Sequence, residues 1–151
     1  MAEGHRLNGA RLAGLVNPVL EERGSPARRQ IVPKGRLLFE EGGRADHFYV
    51  VERGRIRLEL STQGKATATI QTLGPGDLVG LSWFNPNARW SWDARAVVEC
   101  EVLAFDAGEV LRAGNQDPEL RAEIAGCIAN EAIRRLHAAR MQLVELFGNA
   151  A

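Results

Sequence analysis

The hydrophobic period of this chain changes once, at Asp106, and that change constrains the fold more than any single motif. Up to Asp106 the apolar residues recur at strand spacing. "RIRLELS" (55–61) alternates without interruption, which places Ile56, Leu58 and Leu60 on one face and Arg55, Arg57 and Glu59 on the other. "RLLFEE" (36–41), "HFYVVE" (47–52), "ATATIQTL" (66–73) and "ARAVVECEVLAFD" (94–106) are further short runs, the last read as one or two strands. Gly42-Gly43 and "TQGK" (62–65) break the chain between them. Short strands with a turn signal every eight to twelve residues, roughly, point to a β-sandwich or barrel rather than a parallel sheet.

Beyond Asp106 the period is helical. Asp106 followed by Glu109 reads as a variant capping box, and Asp117-Pro118 as an N-cap with proline at the first helical position. From Pro118 nothing interrupts a helix until Gly148, which is read as its stop; that is about 30 residues, or roughly 45 Å. Ala122, Ala125, Ala129, Ala132, Leu136, Ala139, Leu143 and Leu146 recur along it at alternating steps of three and four. Such a seam is that of a coiled coil, with alanines letting two helix axes approach and leucines taking over toward the end. Ile124, Ile128 and Ile133 lie off the seam and are expected to pack on the barrel. Leu143, Val144, Leu146 and Phe147 extend past a domain of this size and would be exposed in a monomer. The expected assembly is therefore a homodimer joined through Ala125, Ala129, Ala132, Leu136, Ala139, Leu143 and Leu146.

The first 30 residues are less regular. Leu12, Leu15, Val16, Val19 and Leu20 fit a short amphipathic helix, Asn17-Pro18 and Gly24-Ser25-Pro26 read as breaks, and Gly9 fits no pattern. The expected organisation is one domain in three parts: an N-terminal helical or irregular segment (1–30), a β-barrel (31–106) and C-terminal helices (107–151). Nineteen basic residues balance nineteen acidic ones, so no global field draws the chain to nucleic acid or to an anionic membrane. Cys100 and Cys127 show no metal spacing, which suits reduced thiols in a cytoplasmic protein. No signal-peptide core or membrane-length apolar run is present.

One stretch does not read as packing alone. All three tryptophans, Trp83, Trp90 and Trp92, fall within ten residues of "GPGDLVGLSWFNPNARWSWDARA" (74–96). Together with "VPKGRLLFEEG" (32–42), "DHFYVVERGRIRLEL" (46–60), "LGPGDLVG" (73–80), "ARAVVECEVLAFD" (94–106) and the long helix, this stretch resembles the cyclic-nucleotide-binding domain of Crp/Fnr-type bacterial regulators. The resemblance runs from Ile31 to Phe147 and includes the glycines at 35, 42, 54, 74, 76 and 80. It implies a mainly β fold, a double-stranded β-helix (jelly roll) with flanking helices, dimeric through its C-terminal helix.

The resemblance also implies a phosphate-binding cassette. In the family a glycine and a short helix present backbone amides to the cyclic phosphate, an acid holds the ribose 2′-hydroxyl, and an arginine followed by serine or threonine grips the phosphate. Gly80 matches the glycine, but Leu81 stands at the acid's position. Counting back from "ARA", Ser91 keeps the hydroxyl and Trp90 replaces the arginine. A charge-assisted hydrogen bond contributes about 1.5–3 kcal/mol, so loss of the arginine alone weakens phosphate binding about ten- to a hundredfold. Arg89 is adjacent, but a one-residue slip in a strand turns a side chain to the opposite face. The candidate ligand-binding set is Gly80, Leu81, Ser82, Trp83, Arg89, Trp90, Ser91 and Trp92. The indoles either stack a flat apolar effector or fill the pocket as core.

Catalytic constellations are missing from the sequence. The barrel segment carries one histidine, His47, too few for a cupin metal site, and no P-loop, G-x-S-x-G or HExxH occurs. Two cysteines cannot hold an iron–sulfur cluster of the four-cysteine kind. His47 or Cys100 is a haem ligand to consider, but a lone histidine reads first as a surface or turn residue. The regulators continue into a helix-turn-helix domain where this sequence ends, at "ELFGNAA", so nucleic-acid binding is not expected. Arg121, Arg134, Arg135 and Arg140 balance Glu119, Glu123, Glu131 and Glu145 along the helix and read as solvated faces. The expected function is a non-catalytic, cytoplasmic, stand-alone regulatory or sensor module with a diverged effector site and neither cofactor nor metal. Its expected partners are a second copy, a small-molecule effector and a protein partner. Two alternatives stand beside it: a genuine cAMP or cGMP receptor signalling through a partner, and an interaction subunit of a redox (hydrogenase-like) complex docking through the tryptophan loop.

Overall fold

A computed structural model describes residues 2–61, 67–85 and 87–150, excluding the side chains of 2–7 and 149–150. The "TQGK" turn and Pro86 lie outside the described residues. Eight strands form two four-stranded antiparallel sheets. One runs in the order β1 (Arg28–Val32), β8 (Cys100–Asp106), β3 (His47–Arg53), β6 (Leu78–Val79). The other runs β2 (Leu37–Phe39), β7 (Asp93–Ala96), β4 (Ile56–Leu60), β5 (Ala68–Leu73). This is the expected jelly roll, although the sheets face each other without closing into a barrel. The 94–106 run divides into two strands that belong to different sheets.

The alternation of β4 is half right. Ile56 and Leu58 are fully buried between the sheets, but Leu60 is exposed and Glu59 is buried. The reason is electrostatic. Register places Arg57 opposite Arg95 on the neighbouring strand, a like-charge pair that is unfavourable alone. Glu59 accepts from both, at 2.6 Å from Arg57 Nε and 2.9 Å from Arg95 Nε, and the two guanidinium groups cover it. Burial pushes its carboxyl up, but the two arginines outweigh this and hold it below the usual carboxylate range.

Three helices pack around the sheets: α1 (Ala2–Glu22), α2 (Ala107–Gln116) and α3 (Pro118–Ala150). Leu12, Val16 and Leu20 form the buried stripe of α1. Contrary to the expected break, α1 runs through Pro18. Proline forfeits a hydrogen bond to the carbonyl four residues earlier, that of Gly14, and both residues sit on the exposed face. Gly9 now has a reason: a Cβ there would overlap the Gly76 carbonyl oxygen, so only glycine lets α1 close onto the 74–77 turn. Both N-caps form, Asp106 Oδ1 accepting from Glu109 N at 3.0 Å and Asp117 Oδ1 from Leu120 N at 3.2 Å, but the Glu109 carboxylate pairs with Arg23 and Arg112 instead of completing a capping box.

α3 packs on α1 and α2 through Ile124, Cys127 and Ile128. Ile133, expected on the barrel, is 65% exposed. Gly148 does not stop the helix, because it does not adopt the left-handed conformation such a stop uses. Leu136, Leu143, Val144, Leu146 and Phe147 are all exposed in the protomer.

Candidate functional site

The 74–81 segment is fixed from its backbone. Asp77 N donates to Gly74 O at 3.0 Å, Asp77 Oδ2 accepts from Gly74 N at 2.7 Å, and Gly76 N donates to Val51 O at 2.7 Å. The turn therefore docks on β3 before β6 delivers the chain to Gly80. Gly80 has φ 98°, a conformation that favours glycine, and leads through Leu81 into a short 3-10 turn, Ser82–Phe84.

The three tryptophans do different things. Trp83 is core: it is 1% exposed, stacks on Phe48 with centroids 4.0 Å apart, and donates from Nε1 to Gly80 O at 3.1 Å. That bond fixes the Gly80 carbonyl. Trp90 is also buried, stacked on Phe39 at 4.0 Å and 11°. Its ring end lies against Gly80, where an added Cβ would come within 2.6 Å of Cη2 and 2.7 Å of Cζ3. The backbone anchors the indole from both sides, Trp90 N to Gly43 O and Gly42 N to Trp90 O, each 2.9 Å. Trp92 is half-buried and faces a cavity.

Residues 90–92 precede β7, and their burial runs buried, exposed, half-buried. Of the other candidate residues, Leu81 lines the same cavity as Trp92. Ser82 is half-buried, and its backbone carbonyl accepts from Asn85 N at 3.1 Å. Ser91 is exposed. Arg89 is exposed and donates from Nη1 to Gly42 O at 2.9 Å, so its guanidinium lies on the outer side of the loop. The structure thus divides the set: Trp83 and Trp90 both meet Gly80, Leu81 and Trp92 line the cavity, and Arg89 and Ser91 are exposed.

The cavity has a volume of about 320 Å³. Leu58, Ile70, Leu81 and Trp92 form its sheet side, and Ala132, Leu136 and Ala139 of α3 face them. Gln71, Gln142 and Arg135 supply its polar groups. It is a largely apolar space at the small end of the usual ligand-pocket range of roughly 300–1,000 Å³.

Arg135 belongs to a network that the even charge balance of α3 concealed. Glu131 is fully buried rather than solvated. It accepts from Arg134 Nη2 at 2.6 Å, Arg135 Nε at 2.7 Å and Asn8 Nδ2 of α1 at 3.1 Å. Arg135 also donates from Nη2 to Leu78 O, one strand before Gly80. Burial pushes the Glu131 carboxyl up, but the arginines and Asn8 prevail and hold it below its ordinary range. A signal was available in the sequence: Ile124, Cys127 and Glu131 continue one stripe at steps of three and four, so the acid occupies a buried position of the helix.

A family model described as "Cyclic nucleotide-binding domain" matches residues 29–117. This chain belongs to the cyclic-nucleotide-binding domain family. Among its relatives, the cyclic AMP receptor protein of Thermus thermophilus is 29% identical over 116 residues, 77% of this chain and 52% of that protein. The chain therefore spans about half the length of that curated relative. The crystal structure of the Thermus thermophilus catabolite activator protein superposes with a TM-score of 0.67 at 28% identity, covering 88% of this chain and 59% of that one. A cyclic nucleotide-binding protein of Geobacter metallireducens, described as putative, shares the fold with a TM-score of 0.70 at 21% identity, covering 83% of this chain and 90% of that one. The family domain accounts for the jelly roll, and within that frame Trp90 lies against Gly80. Among the described residues no helix is long and apolar enough to cross a membrane.

Proposed function

We propose that this chain is a non-catalytic, dimeric regulatory module whose effector site has changed its chemistry, so that a cyclic nucleotide is no longer its tight ligand. The observation that carries the reading is the Trp90 indole packed onto Gly80. A glycine in a phosphate cradle serves by leaving room for an anion beside the backbone amides. Here that room holds six-membered-ring carbons stacked on Phe39. Leu81 adds another apolar surface where the family's acid would meet a ribose. A relative named for cyclic AMP shares the frame, but the two charged contacts expected for that ligand are a leucine and a tryptophan in this chain.

The regulatory part of the reading rests on shared residues. Ala132, Leu136 and Ala139 belong both to the cavity wall and to the heptad seam of α3. An effector in the cavity and a second copy on the seam would touch the same helix turns, so occupancy and dimer geometry are coupled. The exposed apolar residues at the end of α3 supply the remaining seam.

Calorimetry with cyclic AMP and sedimentation of the same preparation test both halves. The expected results are a cyclic AMP dissociation constant weaker than micromolar, a wild-type dimer at micromolar concentration, and a folded monomer for Leu136→Glu. Saturable binding at low micromolar cyclic AMP would sink the changed-site reading. A monomeric wild type would sink the dimer.

A further inference from the structure

We infer that the effector is a small apolar carboxylate, with a flat or aliphatic body lying on Trp92 and Leu81 and its anionic end anchored by Arg135 of α3. This rests on the reading of the cavity as the effector site and names the ligand class it takes.

Charge inside the cavity comes from one place. Among the described residues, Arg135 is the only ionisable side chain on its wall, and no acid lines it. Its side chain is 12% exposed and held through Nε to Glu131 and through Nη2 to Leu78 O, and neither Glu131 nor Leu78 lines the cavity. A guanidinium has five N–H donors spread over three nitrogens, so these contacts fix its orientation without exhausting it. Glu131 is shared: one carboxylate serves Arg134, Arg135 and Asn8, while Asp77 attracts Arg135 at longer range. Neither acid lines the cavity, so Arg135 supplies the one charge on its described wall.

The rest of the wall selects the body of the ligand. Leu58, Ile70, Leu81, Trp92 and Leu136 offer hydrocarbon and an indole face, with Gln71 and Gln142 as the remaining polar side chains. A cyclic nucleotide would need several polar partners for its sugar and phosphate, and buried polar groups left unpaired are costly. A carboxylate on an apolar frame places one anion on one guanidinium and leaves nothing unpaired. Such an anion would draw on the group that ties α3 to the Leu78 carbonyl ahead of the cassette, so the ligand would act directly on the dimer helix.

The test compares two probes of nearly equal shape, naphthalene-2-carboxylate and naphthalene-2-carboxamide, on the full chain, by calorimetry. The carboxylate should bind at least about tenfold more tightly, the scale of a charge-assisted over a neutral hydrogen bond. In Arg135→Gln the ratio should fall toward one while the carboxamide still binds. If that variant fails to fold, the wild-type ratio decides alone. Equal affinities for the two probes overturn the anchor and leave the changed effector site standing. Micromolar binding of cyclic AMP, with neither naphthalene bound, overturns both. Failure of all three ligands to bind overturns the carboxylate inference.

Discussion

Gly80→Ala is the most direct probe of the cassette, because two separable costs meet at one atom. The new Cβ would lie 2.6 and 2.7 Å from ring carbons of Trp90, distances at which something must move. The ring is stacked on Phe39 and its backbone is tied to residues 42 and 43, so it has little room to retreat. Overpacking of this kind costs about 1–3 kcal/mol. The φ of 98° adds a second cost for any L side chain, of roughly 1–2 kcal/mol. In the wild-type background Gly80→Ala should therefore lose about 2–5 kcal/mol.

Trp90→Leu removes the far ring atoms and with them the first cost alone. In that background Gly80→Ala should lose only the roughly 1–2 kcal/mol of backbone strain. The coupling between the two sites is then about 1–3 kcal/mol. Urea unfolding of the four proteins, followed by circular dichroism at one protomer concentration, measures it. Additivity within about 0.5 kcal/mol would show that the indole does not press on Gly80, and the account of a filled cradle would fail with it.

Glu131 should make stability depend on acid pH. Its folded carboxyl lies below the ordinary value, so it contributes stability above the unfolded-state value near 4.3, and that stability is lost as pH falls through the folded value. The urea midpoint should drop below about pH 4.5, and Glu131→Gln should flatten that drop; an unchanged profile in the variant would remove Glu131 as its source. The tryptophans should also separate by truncation: Trp83→Ala should cost about 3–5 kcal/mol as a filled core position, whereas half-buried Trp92→Ala should cost distinctly less and alter ligand binding instead. Equal losses at both positions would place Trp92 in the core rather than on the cavity.

The fold was legible wherever period and burial agree. The switch at Asp106 marks the end of β8, and both helix caps stand where Asp106 and Asp117 placed them. It was illegible where a tertiary contact overrides a local rule. Pro18 suggests a helix break, but Leu12, Val16 and Leu20 gain more by burial as one stripe than the Gly14 carbonyl loses to solvent. Glu59 reads as outward from alternation alone, and is buried because Arg57 and Arg95 become neighbours only when β4 meets β7. Gly9 carries no signal until the 74–77 turn of another part of the chain is laid against it.

The site divides in the same way. The proposed loss of charge rests on Leu81 and Trp90, each at a position that the family resemblance assigns by spacing within a motif. Arg135 could not be placed beside them from the sequence, since it is about fifty positions away on a helix whose acids and bases cancel in number. Counting charges treats every side chain as solvated. Packing distinguishes them: Glu131 at zero exposure draws two arginines inward, and one of these reaches the cavity that Leu81 and Trp92 line. A buried acid bridging two bases is itself a weak source of stability, because desolvation offsets most of the attraction. Its stronger consequence is geometric. It fixes Arg135 between α3, the Leu78 carbonyl and the cavity, so that, on the proposed reading, an anion arriving from the cavity side acts on the helix that would carry the dimer seam.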